Sequence, residues 1–111
     1  MGKSEKELHT AVLSVPLPIC IINEQGKVIG ASDQISQVFL YDDILDSDLF
    51  ALTGVKLTEL YQSLQDGVSP IIKRNDRVFK LAAQKNEEDE TELIIFFYDV
   101  TNLEELKDRY N

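Results

Sequence analysis

The sequence of 111 residues holds one cysteine, one histidine, one methionine and no tryptophan. The lone Cys20 excludes an internal disulfide framework and a cysteine-rich zinc cage, and it suits a reducing, cytoplasmic compartment. His9 is the only side chain with a near-neutral pKa, and no motif ties it to a serine or cysteine nucleophile. There is no Walker loop, no His-Glu-x-x-His and no Gly-x-Ser-x-Gly, so no residue is assigned a catalytic role. Long apolar runs are missing too. The longest, residues 11–22, is broken by Ser14, Pro16 and Pro18 and falls short of the ~20 residues of a spanning helix. Met1-Gly2-Lys3-Ser4-Glu5 lacks the apolar centre of a signal peptide. Positive charge is scarce, with 11 Lys+Arg against 20 Asp+Glu and a net charge of -9. Such a field repels phosphate backbones and anionic lipid, which argues against nucleic-acid and membrane-surface partners.

What is present is ordinary globular material, 43% hydrophobic and 28% charged, at a length that favours one domain able to bury its own core. Ser4 and Glu7 form a capping box, and Leu8, Ala11, Val12 and Val15 follow at helical spacing. Pro16 and Pro18 end that helix. The run Ile19-Cys20-Ile21-Ile22, the turn residues Asn23-Glu24-Gln25-Gly26 and then Lys27-Val28-Ile29 read as a β-hairpin. Helical spacing returns from Ser32 or Asp33, either able to cap, with Ile35, Val38 and Phe39 on one face. Short helical turns are expected up to Gly54. A longer helix carries Leu57, Leu60, Tyr61 and Leu64, with Asp66-Gly67 as its stop. Three strands close the chain: 70–73, 78–84 and 92–98, the middle one wet on the Lys80 and Gln84 face and buried on the Phe79, Leu81 and Ala83 face. Glu87-Glu88-Asp89-Glu90 reads as a solvated loop between the last two. The parts are a flanking helix over 1–15, a domain over 16–101 and the start of a connector helix over 102–111.

This order, with Ile21-Ile22-Asn23-Glu24-Gln25-Gly26-Lys27-Val28-Ile29 at one end and Asp99-Val100-Thr101 at the other, resembles the PAS fold. The resemblance implies an α+β architecture: a five-stranded antiparallel sheet, helices packed on one face and flanking N- and C-terminal helices. Ile19–Ile22 and the strand over 93–98, apolar on both faces, are then adjacent central strands. The chain is a divergent member. Gly30 and Ser32 stand where the family usually has an aromatic residue and an Asn, so loose packing is expected at that corner. The last strand and helix, with Ile72-Lys73-Arg74-Asn75-Asp76-Arg77, look similar to the degenerate PAS modules of membrane-anchored DHH-type cyclic-di-AMP phosphodiesterases. That narrower resemblance implies a cytoplasmic regulatory module, a parent with transmembrane helices upstream and an effector downstream, and haem as a candidate cofactor. A sensor kinase or diguanylate cyclase parent fits the same residues.

The fold implied by the resemblance leaves a cavity between sheet and helices. Its expected lining is Ile29, Ile35, Val38, Phe39, Leu45, Leu60, Phe79, Leu81, Ile95 and Phe97, with Tyr61 as a phenol able to ligate haem iron. A filled core is the competing reading of the same stripe. The helix that often supplies a haem-ligating histidine in such sensors has none here, and the Asn-Cys-Arg pattern of flavin photosensors is absent. Cys20 reads as a buried thiol with a raised pKa. Asp42, Asp43, Asp46 and Asp48 lack the Gly and Glu of an EF-hand loop and read as caps and solvated residues, so no metal ligands are assigned.

By the same resemblance, Asp99, Val100 and Thr101 look like the junction that joins the last strand to a signalling helix. Thr101 and Glu104 make a second capping box, and Leu103, Leu106 and Tyr110 follow at coiled-coil spacing, with Glu105 and Arg109 placed to pair. The resulting expectation is a homodimer that regulates a downstream effector domain of the same chain, through ligand binding, through dimerisation or through both. The alternative is a structural PAS-like scaffold with a filled core and no ligand. In a chain extended past Asn111, replacing Leu103 and Leu106 by Asp should weaken association in sedimentation while the sheet stays folded. An unextended seam is marginal, because helices below ~12–15 residues are barely stable alone. Equal association of the variant would make this helix a lid on its own domain.

Overall fold

A computed structural model of the chain describes residues 16–39, 44–74 and 76–102. The expected helix over 1–15, the junction seam residues Leu103, Leu106 and Tyr110, and Asp42 and Asp43 lie outside the described residues.

Five strands form one antiparallel sheet: β1 (Ile19–Ile22), β2 (Val28–Ala31), β3 (Ile71–Arg74), β4 (Arg77–Lys85) and β5 (Leu93–Asp99). Their order across the sheet is β2-β1-β5-β4-β3. Between β2 and β3 the chain forms a short 3-10 helix, Asp33–Gln37, and two α-helices, α1 (Leu49–Thr53) and α2 (Leu57–Asp66). The expected neighbours at the centre are correct: β1 pairs along its length with β5, from Ile19 opposite Phe96 to Ile22 opposite Leu93. All four β1 side chains have no exposure.

The sheet buries both faces there. On the helix side, Cys20, Ile22, Leu93, Ile95 and Phe97 join Ile35, Val38, Phe39, Ile44, Leu49, Val55 and Leu60 in one core. On the other side Ile19, Ile21 and Ile94 pack together with Ile29 and Phe96. Burying each such aliphatic side chain contributes ~1.5–3 kcal/mol against exposure. Phe39 meets Phe97 edge to face at 5.7 Å, the favoured geometry for two ring quadrupoles.

Local chemistry sets the turns. Asn23 Oδ1 accepts from the N–H groups of Gln25 and Lys27 at 2.9 and 3.0 Å, and Gly26 takes the left-handed φ of 82° that closes the hairpin. Ile21 stands opposite Gly30 and Ile22 opposite Val28, so β2 carries a one-residue bulge at Ile29. The extra residue breaks the alternation of β2, so Val28 and Ala31 both face the helices and Ile29 the opposite side. Asp48 caps α1 by accepting from Phe50 N–H at 3.1 Å. Glu59 reaches back to Lys56 N–H at 2.8 Å to start α2, and Gly67, at φ 74°, ends it. Asn86, 2% exposed, organises the β4–β5 loop by donating to Glu92 and accepting from Glu88 N–H.

The corner expected to be loose is tied shut. Ser32 is 3% exposed, and its hydroxyl accepts from Ile19 N–H at 3.0 Å while donating to the Leu17 carbonyl at 2.7 Å. The hydroxyl does not cap the 3-10 helix; it bridges the entry of β1 to the exit of β2. Removing it orphans a buried N–H, which costs ~1–3 kcal/mol. Ser32→Ala should therefore lower the urea midpoint by that amount of stability, whereas Ser36→Ala, at an exposed position, should stay within ~0.5 kcal/mol of wild type.

Candidate functional site

Two places combine accessible geometry with specific chemistry. The first is a cleft of about 360 Å³ where the β1–β2 turn faces the α1–α2 connection. Its floor is Ile22, Leu49 and Leu60, each at most 2% exposed. Val55 and Leu57 form one wall, and Phe50, 49% exposed, stands at the mouth. The rim carries Gln25, Asp48 and Lys56 and the backbone of Gly26. Such a surface takes an apolar body with a polar end.

Of the residues expected to line a cavity, Leu60 alone reaches this cleft. Ile35, Val38, Phe39, Phe79, Leu81, Ile95 and Phe97 are buried in the core behind it, and Tyr61 packs half-buried at its edge. Two assignments are corrected. Ile29 lies on the opposite face of the sheet, because the bulge reverses the parity of β2. Leu45 is 50% exposed: Asp46 takes a left-handed φ of 66° and hydrogen-bonds to the Val28 carbonyl, which turns the neighbouring Ile44 inward instead. The cleft residues missed from sequence lie mostly in turns and caps, where no periodicity marks an inward side chain. Gly26 and Asp48 carried turn and cap signals, but those signals say nothing about a cleft.

The cleft does not fit haem. His, Cys, Met and Tyr, the usual axial ligands, are absent from its lining, and Tyr61 is not part of it. Cys20 is fully buried in the core, where desolvation pushes its thiol far above the ordinary range. Among the described residues no cluster of His, Cys, Asp or Glu is placed to hold a metal ion. No helix among them is long and apolar enough to cross a membrane.

The second place is the end of β5. Asp99 Oδ1 accepts from the Thr101 hydroxyl at 2.6 Å and from Thr101 N–H at 3.0 Å, while Oδ2 pairs with Arg77 Nη1 at 2.9 Å. Thr101 Oγ1 in turn accepts from Val78 N–H at 2.9 Å, and Val100 N–H donates to the Val78 carbonyl at 2.8 Å. Both main-chain groups of Val78 are thus claimed by the junction, which locks the chain's exit direction to β4. Thr101 and Asn102 are already helical. The Glu104 half of the expected capping box lies outside the described residues.

No family model and no curated protein matches the chain. Solved structures do, and they match over most of it. A PAS domain from a two-component sensor histidine kinase superposes with a TM-score of 0.55 at 9% identity, covering 89% of this chain and 99% of that one. The chain has the PAS fold. The PAS domain of the fruit-fly ELK potassium channel gives a TM-score of 0.53 at 15% identity, with 86% and 96% covered. A sensory box sensor histidine kinase from Vibrio cholerae gives 0.51 at 13% identity, with 91% and 95% covered. At these identities the likeness shows the PAS fold, the expected α+β sheet with its helices on one face, and goes no further.

The Asp99 clamp makes a pH prediction. The Thr101 hydroxyl first, then Thr101 N–H, with a smaller part from Arg77, holds the Asp99 carboxyl below its ordinary range. A folded pKa below the unfolded one gives stabilisation that is complete above the ordinary carboxylate range of about 4 and is lost as pH falls through the depressed value. With the Arg77 pair at the surface, that stabilisation is small. In a carboxyl NMR titration Asp99 should titrate below the ordinary Asp range, and Thr101→Val should bring it back up. An unchanged Asp99 titration in the variant would refute the clamp.

Proposed function

We propose that this chain is a non-catalytic PAS sensory module in which a small, largely apolar ligand with a polar end occupies the cleft and biases the junction at Asp99, Val100 and Thr101. The observation that carries the reading is the course of β5. Leu93, its first residue, pairs with Ile22 at the cleft floor, and Asp99, its last, anchors the clamp on the chain's exit. A single central strand joins the two places. A ligand acts through it only by binding two arrangements of that strand unequally, since equal affinity shifts nothing.

The wider setting belongs to the same proposal. A homodimer through Leu103, Leu106 and Tyr110, and an effector domain of the same chain beyond the junction, are supported by the apolar spacing of those residues. A cytoplasmic setting is supported by the lone unpaired Cys20. A membrane-anchored cyclic-di-AMP phosphodiesterase as the parent rests on the similarity of residues 72–77 and 93–110. The competing reading, a scaffold without a ligand, draws support from Phe79, Leu81, Ile95 and Phe97, all buried in the core behind the cleft floor.

The test uses anilinonaphthalene sulfonate, an apolar body with an anionic end. Saturable binding to the folded chain with a shift of the Thr101 amide signal is the expected outcome, and Val55→Trp, which fills the cleft, should abolish both. Binding that leaves Thr101 unmoved, or that survives Val55→Trp unchanged, would overturn the coupling.

A further inference from the structure

The edge strand β3 is the last in the sheet, and the register fixes which of its main-chain groups are open. Leu81 N–H donates to the Pro70 carbonyl, so Pro70 and Leu81 are a hydrogen-bonded pair. Antiparallel ladders alternate, and the register places Ile71 opposite Lys80 and Lys73 opposite Val78. The N–H and C=O groups of Ile71 and Lys73 therefore point away from β4, toward the open edge. The bonds of Val78 toward Thr101 and Val100, on the β5 side, set the same phase independently.

That edge borders a groove of about 580 Å³ whose far wall runs from the end of α1 to the first turn of α2 and carries Thr53, Gly54, Val55 and Glu59. Glu59 is engaged there by Lys56 N–H. The near wall is β3 itself, with Ile71 53% exposed and Lys73 exposed. Charge is distributed unevenly along the chain. Residues 71–85 carry five of its 11 cations, Lys73, Arg74, Arg77, Lys80 and Lys85, and one of its 20 anions, Asp76. An otherwise acidic protein thus carries Lys73 and Arg74 on its open edge strand, with Lys80 on the strand beside it and Arg77 there engaged by Asp99.

We propose that the β3 edge is a strand-addition site for an extended acidic segment of a partner protein. Main-chain pairing to Ile71 and Lys73 supplies the register, Lys73 selects acidic side chains on its own face of the sheet, and Arg74, on the other face, adds to the positive field. A second copy of this chain is the wrong occupant. Pairing two β3 edges brings both Lys73 and both Arg74 within a Debye length of about 10 Å, where like charges repel.

The experiment titrates the full chain with a capped peptide alternating Val and Glu, and with its counterpart carrying Lys for Glu. Amide exchange at Ile71 and Lys73 should slow about tenfold or more with the Glu peptide and stay unchanged with the Lys peptide. The double variant Lys73→Glu/Arg74→Glu should lose about tenfold in affinity for the Glu peptide and gain affinity for the Lys peptide, a gain that an unfolded variant would not show. Equal binding of both peptides, binding without protection at Ile71 and Lys73, or no binding at millimolar peptide would overturn the proposal. So would protection of those amides by self-association of the chain alone.

Discussion

The pairing of β1 with β5 is the constraint on which the remaining structure depends. Both strands are apolar on both faces, and the four side chains of β1 have no exposure at all. A one-residue slip would exchange every side chain between the two buried faces. Cys20 and Ile22 would leave the helix-side core, and Ile19 and Ile21 would enter it. Register is therefore specified twice, once by each face. The edge strands β2 and β3 hang from this centre, and their side-chain directions follow from it.

Small polar groups hold the points where the chain enters or leaves that sheet. Ser32 joins the start of β1 to the end of β2, Asn23 closes the turn between them, and Thr101 supplies Val78 with the partner that β5 would have given had it continued. Each hydroxyl or amide satisfies main-chain groups that a strand end leaves open, and an orphaned buried group costs more than a made bond gains. Ser32 explains why Gly30 and Ser32 at this corner do not loosen it. A hydroxyl that both donates and accepts ties two segments where the family's larger residues would fill space.

The cleft and the junction lie at opposite ends of β5, with the buried core between them. In the proposed coupling, a change at Ile22 would reach β5 through its partner Leu93, because packed interiors respond to a perturbation as units. The β3 edge adjoins that line: Val55 lines both the cleft and the β3 groove, and Val78, held by the junction, stands opposite Lys73. It sits beyond β4, in the basic segment of an acidic chain, and its chemistry is that of main-chain pairing and charge.

The sequence alone determined the strand and helix order, the two central strands, the stop of α2 at Gly67 and the inward stripe of β4. These rest on local periodicity, turn residues and β-branched runs, which act over a few neighbouring residues. It also turned Phe39, Leu60, Phe79, Leu81, Ile95 and Phe97 inward as the lining of a cavity, and the structure buries all six in the core. The tertiary structure decided the rest. The bulge in β2 moved Ile29 to the far face, and the left-handed Asp46 sent Leu45 to solvent while Ile44 turned in. The cleft gathers Gln25, Asp48 and Lys56 from three separate turns, and the open groups of Ile71 and Lys73 exist only because β3 lies at an edge. Local pattern specifies which face of an element is apolar; which elements meet, and what they leave uncovered, depends on contacts between residues far apart in the chain.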